Sequence, residues 1–262
     1  MKPISLSILF ALVALLGVGC RPVIEGSGNV TTETRQVSNF SQVELLGIGD
    51  VSITQGDTET LPIEAEDNLI PYFTTEVHDH TLEIGFRSDM PMNIWPKRPV
   101  KFYLTMKNVT DLQVRGSGNM SSERLAADKL QLAVLGSGNI IVDQLDVKTL
   151  TNTIKGSGDI RVDQLKANSA TTTISGSGKC VLAGETVDQS THITGSGDYL
   201  TFDLQSQTAT LRLIGSGDVQ AWVTEKLDIN VAGSGDVEYY GTPQEVSQRI
   251  AGSGNVSGLG AH

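Results

Sequence analysis

Ten times in 262 residues a glycine, one other residue and a second glycine are followed by a polar residue. Seven of the intervals between copies are 18 to 20 residues long. The copies begin at Gly26, Gly47, Gly116, Gly136, Gly156, Gly176, Gly195, Gly215, Gly233 and Gly252, and all read GSG except Gly47-Ile48-Gly49. A period near twenty is too short for a pair of helices. It is long enough for two or three short strands with their turns, which points to a stacked solenoid.

Aligning the copies brings out two more columns. Two residues before the first glycine stand Ile24, Leu45, Val114, Val134, Ile154, Ile174, Ile193, Leu213, Val231 and Ile250, all aliphatic. Four residues after it stand Val30, Val51, Met120, Ile140, Ile160, Cys180, Tyr199, Val219, Val237 and Val256, nearly all apolar. Around them the chain alternates, as in Leu130-Gln131-Leu132-Ala133-Val134, with the period of two of half-buried strands. One coil is too small to bury its own apolar side. Equivalent strands of successive coils are therefore expected to pair in parallel, about 4.8 Å apart, so that the columns become one narrow core. Glycine recurs where the chain turns through positive φ or where backbones approach too closely for a Cβ. Eight copies from Gly116 onward predict a rod of roughly 40 Å. Cys180 lies in the inward column and reads as a small buried hydrophobe.

The period fails over residues 51–110. Strand-like runs at 51–55, 61–65, 73–77, 81–86 and 101–105 suggest a less regular sheet covering one end of the solenoid, and the Pro-rich stretch 90–99 reads as an exposed loop. The tail, residues 257–262, offers little to cover the last coil, and an open edge invites a partner. The expected organisation is thus a signal peptide at 1–19, a lipidated tether at 20–25 and an N-terminal β region with the first coils at 26–115. A regular solenoid at 116–256 and a tail at 257–262 complete it.

The leader supplies the compartment. Lys2, an uncharged apolar run from 4 to 19 and then Cys20 form a secretory signal, since about 16 residues fall short of the roughly 20 that span a bilayer. The run Leu16-Gly17-Val18-Gly19-Cys20 resembles a bacterial lipoprotein signal, in which the cysteine is lipidated. An ordinary signal peptide with a coincidental cysteine is the alternative. Arg21, where an Asp is associated with inner-membrane retention, favours the outer membrane. Without the leader, 30 acidic residues face 18 basic ones, so general electrostatics exclude nucleic acid as a partner. Membrane attachment then falls to the acyl chains. With Cys20 lipidated, Cys180 has no disulfide partner.

Candidate chemistry is sparse. No copy carries the third glycine of a dinucleotide fingerprint, and no GKS or GKT follows any of them. No GxSxG or HExxH is present, so neither a catalytic residue nor a cofactor is expected. The residue after each GxG forms a column of Asn and Asp with one lysine, Lys179. Within it Asp198, Asp218 and Asp236 are candidate Ca²⁺ ligands, because carboxylates about 5 Å apart repel unless protonated or bridged by a hard cation. The plainer reading is that Asx is the turn residue. His78 and His80 flank Asp79 in a turn, too few for a metal site alone, and His192 is expected to be exposed. Tyr199, Phe202, Trp222, Tyr239 and Tyr240 gather near the C-terminal end; Tyr199 and Tyr239 fall on inward positions, as larger side chains filling wider terminal coils would, and outward aromatics can form a platform for sugar rings or a protein.

The lipoprotein-like leader, the run Ala65-Glu66-Asp67-Asn68-Leu69-Ile70-Pro71-Tyr72 before Thr75-Glu76-Val77, the strand Thr81-Leu82-Glu83-Ile84 and the serial GSG[ND] copies together resemble the putative auto-transporter adhesin, head GIN domain family. The resemblance spans residues 39 to 256 and implies a right-handed parallel β-solenoid on the cell surface or in the periplasm. It carries over no catalytic residues. The expected function is a non-enzymatic envelope lipoprotein, held by its N-terminal lipid and presenting the solenoid to a glycan or a surface protein. A structural component self-associating through the solenoid end is a second reading, and a polysaccharide-active β-helix enzyme a third.

Overall fold

The computed structural model describes residues 23–87, 89 and 93–262. The signal peptide, Cys20 and residues 90–92 of the Pro-rich stretch lie outside them. The N-terminal part contributes β1 (Val23–Glu25), β2 (Val30–Arg35), β3 (Gln42–Leu45), β4 (Asp50–Gln55), β5 (Leu61–Glu66), a 3-10 turn at Ile70–Tyr72, β6 (Phe73–His78), β7 (Thr81–Phe86), β8 (Asn93–Trp95) and β9 (Lys101–Met106). Then come β10 (Asp111–Val114), β11 (Asn119–Val134), β12 (Ile140–Gly156), β13 (Ile160–Gly176), β14 (Lys179–Gly195), β15 (Asp198–Gly215) and β16 (Val219–Gly233). The chain closes with β17 (Val237–Tyr240), β18 (Glu245–Gly252) and β19 (Val256–Gly258).

From β10 onward the fold is a parallel β-solenoid. The eight glycine corners enclose seven turns of about 20 residues. Ile154 pairs with Ile174, Ile174 with Ile193 and Ile193 with Leu213, so like residues stack over like. Val134, Ile154, Ile174 and Ile193 are fully buried. The strands are longer than the two or three short ones expected per coil, because the bends do not break the ladder. In β12 only two doublets, Asp143-Gln144 and Lys148-Thr149, interrupt the alternation of buried and exposed residues. They divide each coil into three straight runs, and the glycine corner makes the sharp turn.

The glycines serve close approach. At Gly158 a Cβ would lie 1.9 Å from the carbonyl oxygen of Gly138 in the coil beneath and 2.8 Å from Val134 Cγ1. The carbonyls of the first glycines join the coils: the N–H groups of Ser177, Ser196 and Ser216 donate to the oxygens of Gly156, Gly176 and Gly195, each at 2.9 Å. At Gly215, φ of 142° adds a backbone conformation that L side chains avoid.

Coil order departs from chain order at the N-terminal end. β3 lies between β7 and β10, and β4 between β9 and β11. The coil made by β3 and β4 is thus inserted beneath the first regular coil, and the later strands β7 and β9 form the end coil. Antiparallel strands close that end, with β6 on β7, β5 on β9 and β2 on β5. Phe73 sits at their centre, 5.0 Å from the Phe86 ring and 5.5 Å from the Phe102 ring.

Four expectations need correction. The GSG at Gly26 is not a stacked corner: Ile24 is half-buried and pairs in the small β1–β8 sheet, and Val30 is exposed. The stretch 90–99, read as a loop, contains β8. Ile250 and Val256, in the last coil, have no further coil to cover them, and Ile250 is 41% exposed. Lastly, the core is not wholly apolar. Asn152, Thr172, Gln189, Thr191, Thr201 and Ser206 are buried in its middle coils. There the fully buried Tyr199 donates its hydroxyl to Gln189 Oε1 at 3.1 Å, and Gln189 Nε2 donates to Ser206 Oγ at 2.7 Å. Tyr199 was read as filler for a wider terminal coil; it instead reaches a polar seam that satisfies its hydroxyl.

Candidate interaction surfaces

A groove of about 920 Å³ runs along the second bend, crossing β11 to β16. Register makes it. Ala127 pairs with Val147, Ala167 with Thr186 and Thr186 with Ser206, and Val147, Ala167, Thr186 and Ser206 form a nearly buried floor of small side chains. The walls carry Asp128, Asp146, Lys148, Lys166, Glu185 and Glu225. Lys148 pairs with Asp128 at 2.7 Å and Lys166 with Glu185 at 3.9 Å, leaving the groove with a surplus of acid. Exposed amides of Asn168, Gln205 and Gln207 line it on β13 and β15, whereas Ala126, Ala127 and Val147 make the part on β11 and β12 apolar and Val187 stands exposed on β14. No residue type repeats at this bend beyond small size, which is why the periodicity did not disclose it.

The aromatic cluster is present and mostly self-satisfied. The His262 ring stacks on Trp222 at 4.2 Å, and Phe202 packs on Tyr240 at 4.7 Å. Phe202, Trp222, Tyr239 and Tyr240 are half-buried, because the tail folds back and donates the Leu259 N–H to the Tyr239 oxygen. A flat platform of free rings is therefore not what the sequence places there.

The Asx column is a ladder. Asn139, Asp159, Lys179, Asp218 and Asn255 each donate a backbone N–H to the side-chain oxygen of the column residue in the preceding coil: Asn119, Asn139, Asp159, Asp198 and Asp236. Asp198 also lies 3.5 Å from Lys179 Nζ. Two of the three candidate Ca²⁺ ligands, Asp198 and Asp236, thus spend an oxygen on an amide. Among the described residues no three His, Cys, Asp or Glu side chains gather around a point where a metal ion could sit. His78 pairs instead with Glu76 at 3.0 Å, an arrangement that raises its pKa through the hydrogen bond, and His80 Nδ1 lies 3.1 Å from the Asn39 carbonyl. His192 is exposed. Cys180 is fully buried, and burial pushes its thiol up to about 12, so it is an inert core residue.

Sequence reasoning missed the chemistry of one cluster. Glu66 is fully buried, and its carboxylate accepts the N–H groups of Gly28 at 2.6 Å, Lys97 at 2.8 Å and Arg98 at 3.3 Å. Burial alone would raise its pKa; the three backbone donors and the nearby Lys97 charge outweigh it and hold the carboxyl below its ordinary value. Asn68 accepts the Ser27 N–H and donates to the Glu25 carbonyl, each at 2.8 Å, and Asp67 accepts the Ser27 hydroxyl. The acid-acid-amide run after β5 is therefore a clamp on the first GSG. A Cβ on Gly26 would collide with the Glu66 carboxylate. In the sequence Glu66 keeps the alternation Leu61-Pro62-Ile63-Glu64-Ala65-Glu66 and reads as an exposed acid; only in the structure does it follow buried Ala65 directly.

A family model described as "Putative auto-transporter adhesin, head GIN domain" matches residues 39–243. No curated protein sequence matches the chain. Crystal structures do. A putative lipid binding protein from Parabacteroides distasonis is 26% identical, with a TM-score of 0.84 over 90% of this chain and 99% of that one. A putative adhesin from the same species is 25% identical, with a TM-score of 0.82 over 90% of this chain and 100% of that one. A putative adhesin from Parabacteroides merdae, 22% identical with a TM-score of 0.79 over 91% and 99%, bears on the fold alone.

Proposed function

The chain belongs to the putative auto-transporter adhesin, head GIN domain family, and on that premise we propose that it is a non-enzymatic lipoprotein of the bacterial envelope that holds an extended, uncharged glycan in its solenoid groove. The groove carries this reading. It runs across six strands, so successive units of a linear polymer meet successive coils at about 4.8 Å spacing. Its acidic surplus disfavours anionic polymers, while Asn168, Gln205 and Gln207 offer amides to sugar hydroxyls. Attachment at Cys20, and the outer membrane as destination, rest on the leader and on Arg21. A panel of immobilised neutral glycans tests the binding. Retention is expected, with a loss of about tenfold or more in Val187→Arg, which places a long cation in the groove from an exposed position while the melting midpoint stays put. Retention by no neutral glycan, or retention indifferent to that change, is the contrary result.

An acyl chain is a second occupant, favoured by the apolar part around Ala127, Val147 and Ala167 and by the name of the lipid binding relative. Neutral phospholipid vesicles in the same assay separate the two, since Val187→Arg then abolishes vesicle capture and leaves the glycans unbound. For the anchor, a cell fed a tagged fatty acid is expected to label the unaltered chain and not Cys20→Ala, with the label in the outer-membrane fraction.

A further inference from the structure

The last coil leaves the solenoid unfinished. β18 is paired along one edge with β16, no strand among the described residues follows on the other, and every residue from Glu245 to Gly252 is exposed. Val246 and Ile250 continue the columns of Leu227 and Val231, yet they are 43% and 41% exposed where the residues beneath are fully buried. At the other end the core is sealed: Leu61, Leu69 and Phe73 lie buried under the antiparallel strands, and the outermost β2 presents only threonines and an ion pair between Glu33 and Arg35 at 3.0 Å beyond Val30. Charged, polar edges are how sheets discourage pairing, and β18 leaves Val246 and Ile250 bare between its polar residues.

We propose that two copies of this chain pair tail to tail, β18 against β18 in antiparallel register about a two-fold axis through Ser247. Charge chooses the register. With Ser247 opposite itself, Glu245 of each copy, which already accepts Lys226 Nζ of its own chain at 2.8 Å, offers its second oxygen to Arg249 of the other, twice per interface, and both side chains are exposed. Pairing keeps Val246, Gln248 and Ile250 on the core side of both strands, so the apolar columns run from one molecule into the next. The sealed N-terminal end offers no matching bare core. A two-fold contact is the arrangement in which each uncovered end covers the other, and it closes rather than propagates. An edge of eight residues falls below the usual interface of about 1,200 Å², so the dimer is weak and concentration-dependent.

Sedimentation velocity on the full chain over a concentration series is expected to show monomer passing to dimer and nothing larger. Ser247→Cys should form a disulfide-linked dimer under mild oxidation, since the two-fold brings the residue opposite its own copy. Ser196→Cys, at an exposed mid-solenoid corner, should form no more than the unaltered chain, which controls for Cys20. Arg249→Glu should weaken dimerisation about tenfold, and adding the double exchange Glu245→Lys with Lys226→Glu, which keeps the intrachain pair, should restore it. A monomer at every concentration, oligomers growing beyond the dimer, equal cross-linking at the two cysteines, or failure of the double exchange to restore pairing would each overturn the proposal. Because the altered positions are exposed, an unchanged melting midpoint verifies that every variant is folded. A second protein that captures β18 in place of a copy would appear as a monomer in this purified system and count against it.

Discussion

At the residue scale a missing carbon atom decides the corners and a buried carboxylate the N-terminal clamp. The corner glycines are fixed by the absence of a Cβ, and replacing Gly158 with Ala forces that atom against a backbone carbonyl that has nowhere to go. Gly158→Ala is expected to cost about 2 to 4 kcal/mol, while Ser157→Ala at the same corner, where the side chain faces solvent, stays within about 0.5 kcal/mol; urea titration measures both. Glu66 makes the complementary case, a buried charge held by amides. Its pKa is lower in the folded protein than in the unfolded chain, so the stabilisation is fully present above the unfolded value near 4.5 and is lost as the pH falls through the folded value. Melting midpoints from pH 7 down to 3 are expected to fall in the unaltered chain. Glu66→Gln should start lower at pH 7 and lose part of that acid dependence, since an amide cannot accept three N–H groups as a carboxylate does.

At the scale of the coil, position along the stack decides what a side chain is worth. Ile174 is fully buried between Ile154 and Ile193, and Ile174→Ala is expected to cost about 2 to 5 kcal/mol. Ile250→Ala, in the same column at the open end, should cost less than about 1 kcal/mol. The Asx ladder is a local device of the same kind, joining coils through side-chain oxygens and amides, so the melting midpoint is expected to be the same with Ca²⁺ and with chelator. This scale is also where sequence and structure agree most. The aliphatic columns and corner glycines repeat because every coil meets the same steric demand, and the register followed from them. The N-terminal order did not, since strands of four to six alternating residues such as Gln42–Leu45 and Thr81–Phe86 read alike whether their partners are parallel, antiparallel or out of chain order. The groove was hidden for the opposite reason: its floor asks only for small residues, and Val147, Ala167, Thr186 and Ser206 share no pattern that a period reveals.

At the scale of the whole molecule the two ends differ, and the difference orders the unfolding. Each coil touches only its neighbours, so local stability is the sum of one coil and its two interfaces. The coils of β12 to β15 have both interfaces and fully buried columns; the N-terminal coils have a sheet cap and the Glu66 clamp in place of a neighbour. In the coil of β17 and β18, β17 is covered by β19, but β18 has one interface and is exposed. Opening should therefore begin at residues 245–252 and travel inward. Native-state hydrogen exchange on a dilute sample is expected to show least protection in peptides from β18, more in β16 and a plateau from β15 to β11. Uniform protection along the chain would contradict the one-dimensional picture. Raising the protein concentration should protect β18 alone if two tails meet there, because pairing supplies the interface that this strand lacks while leaving the rest of the stack as it was.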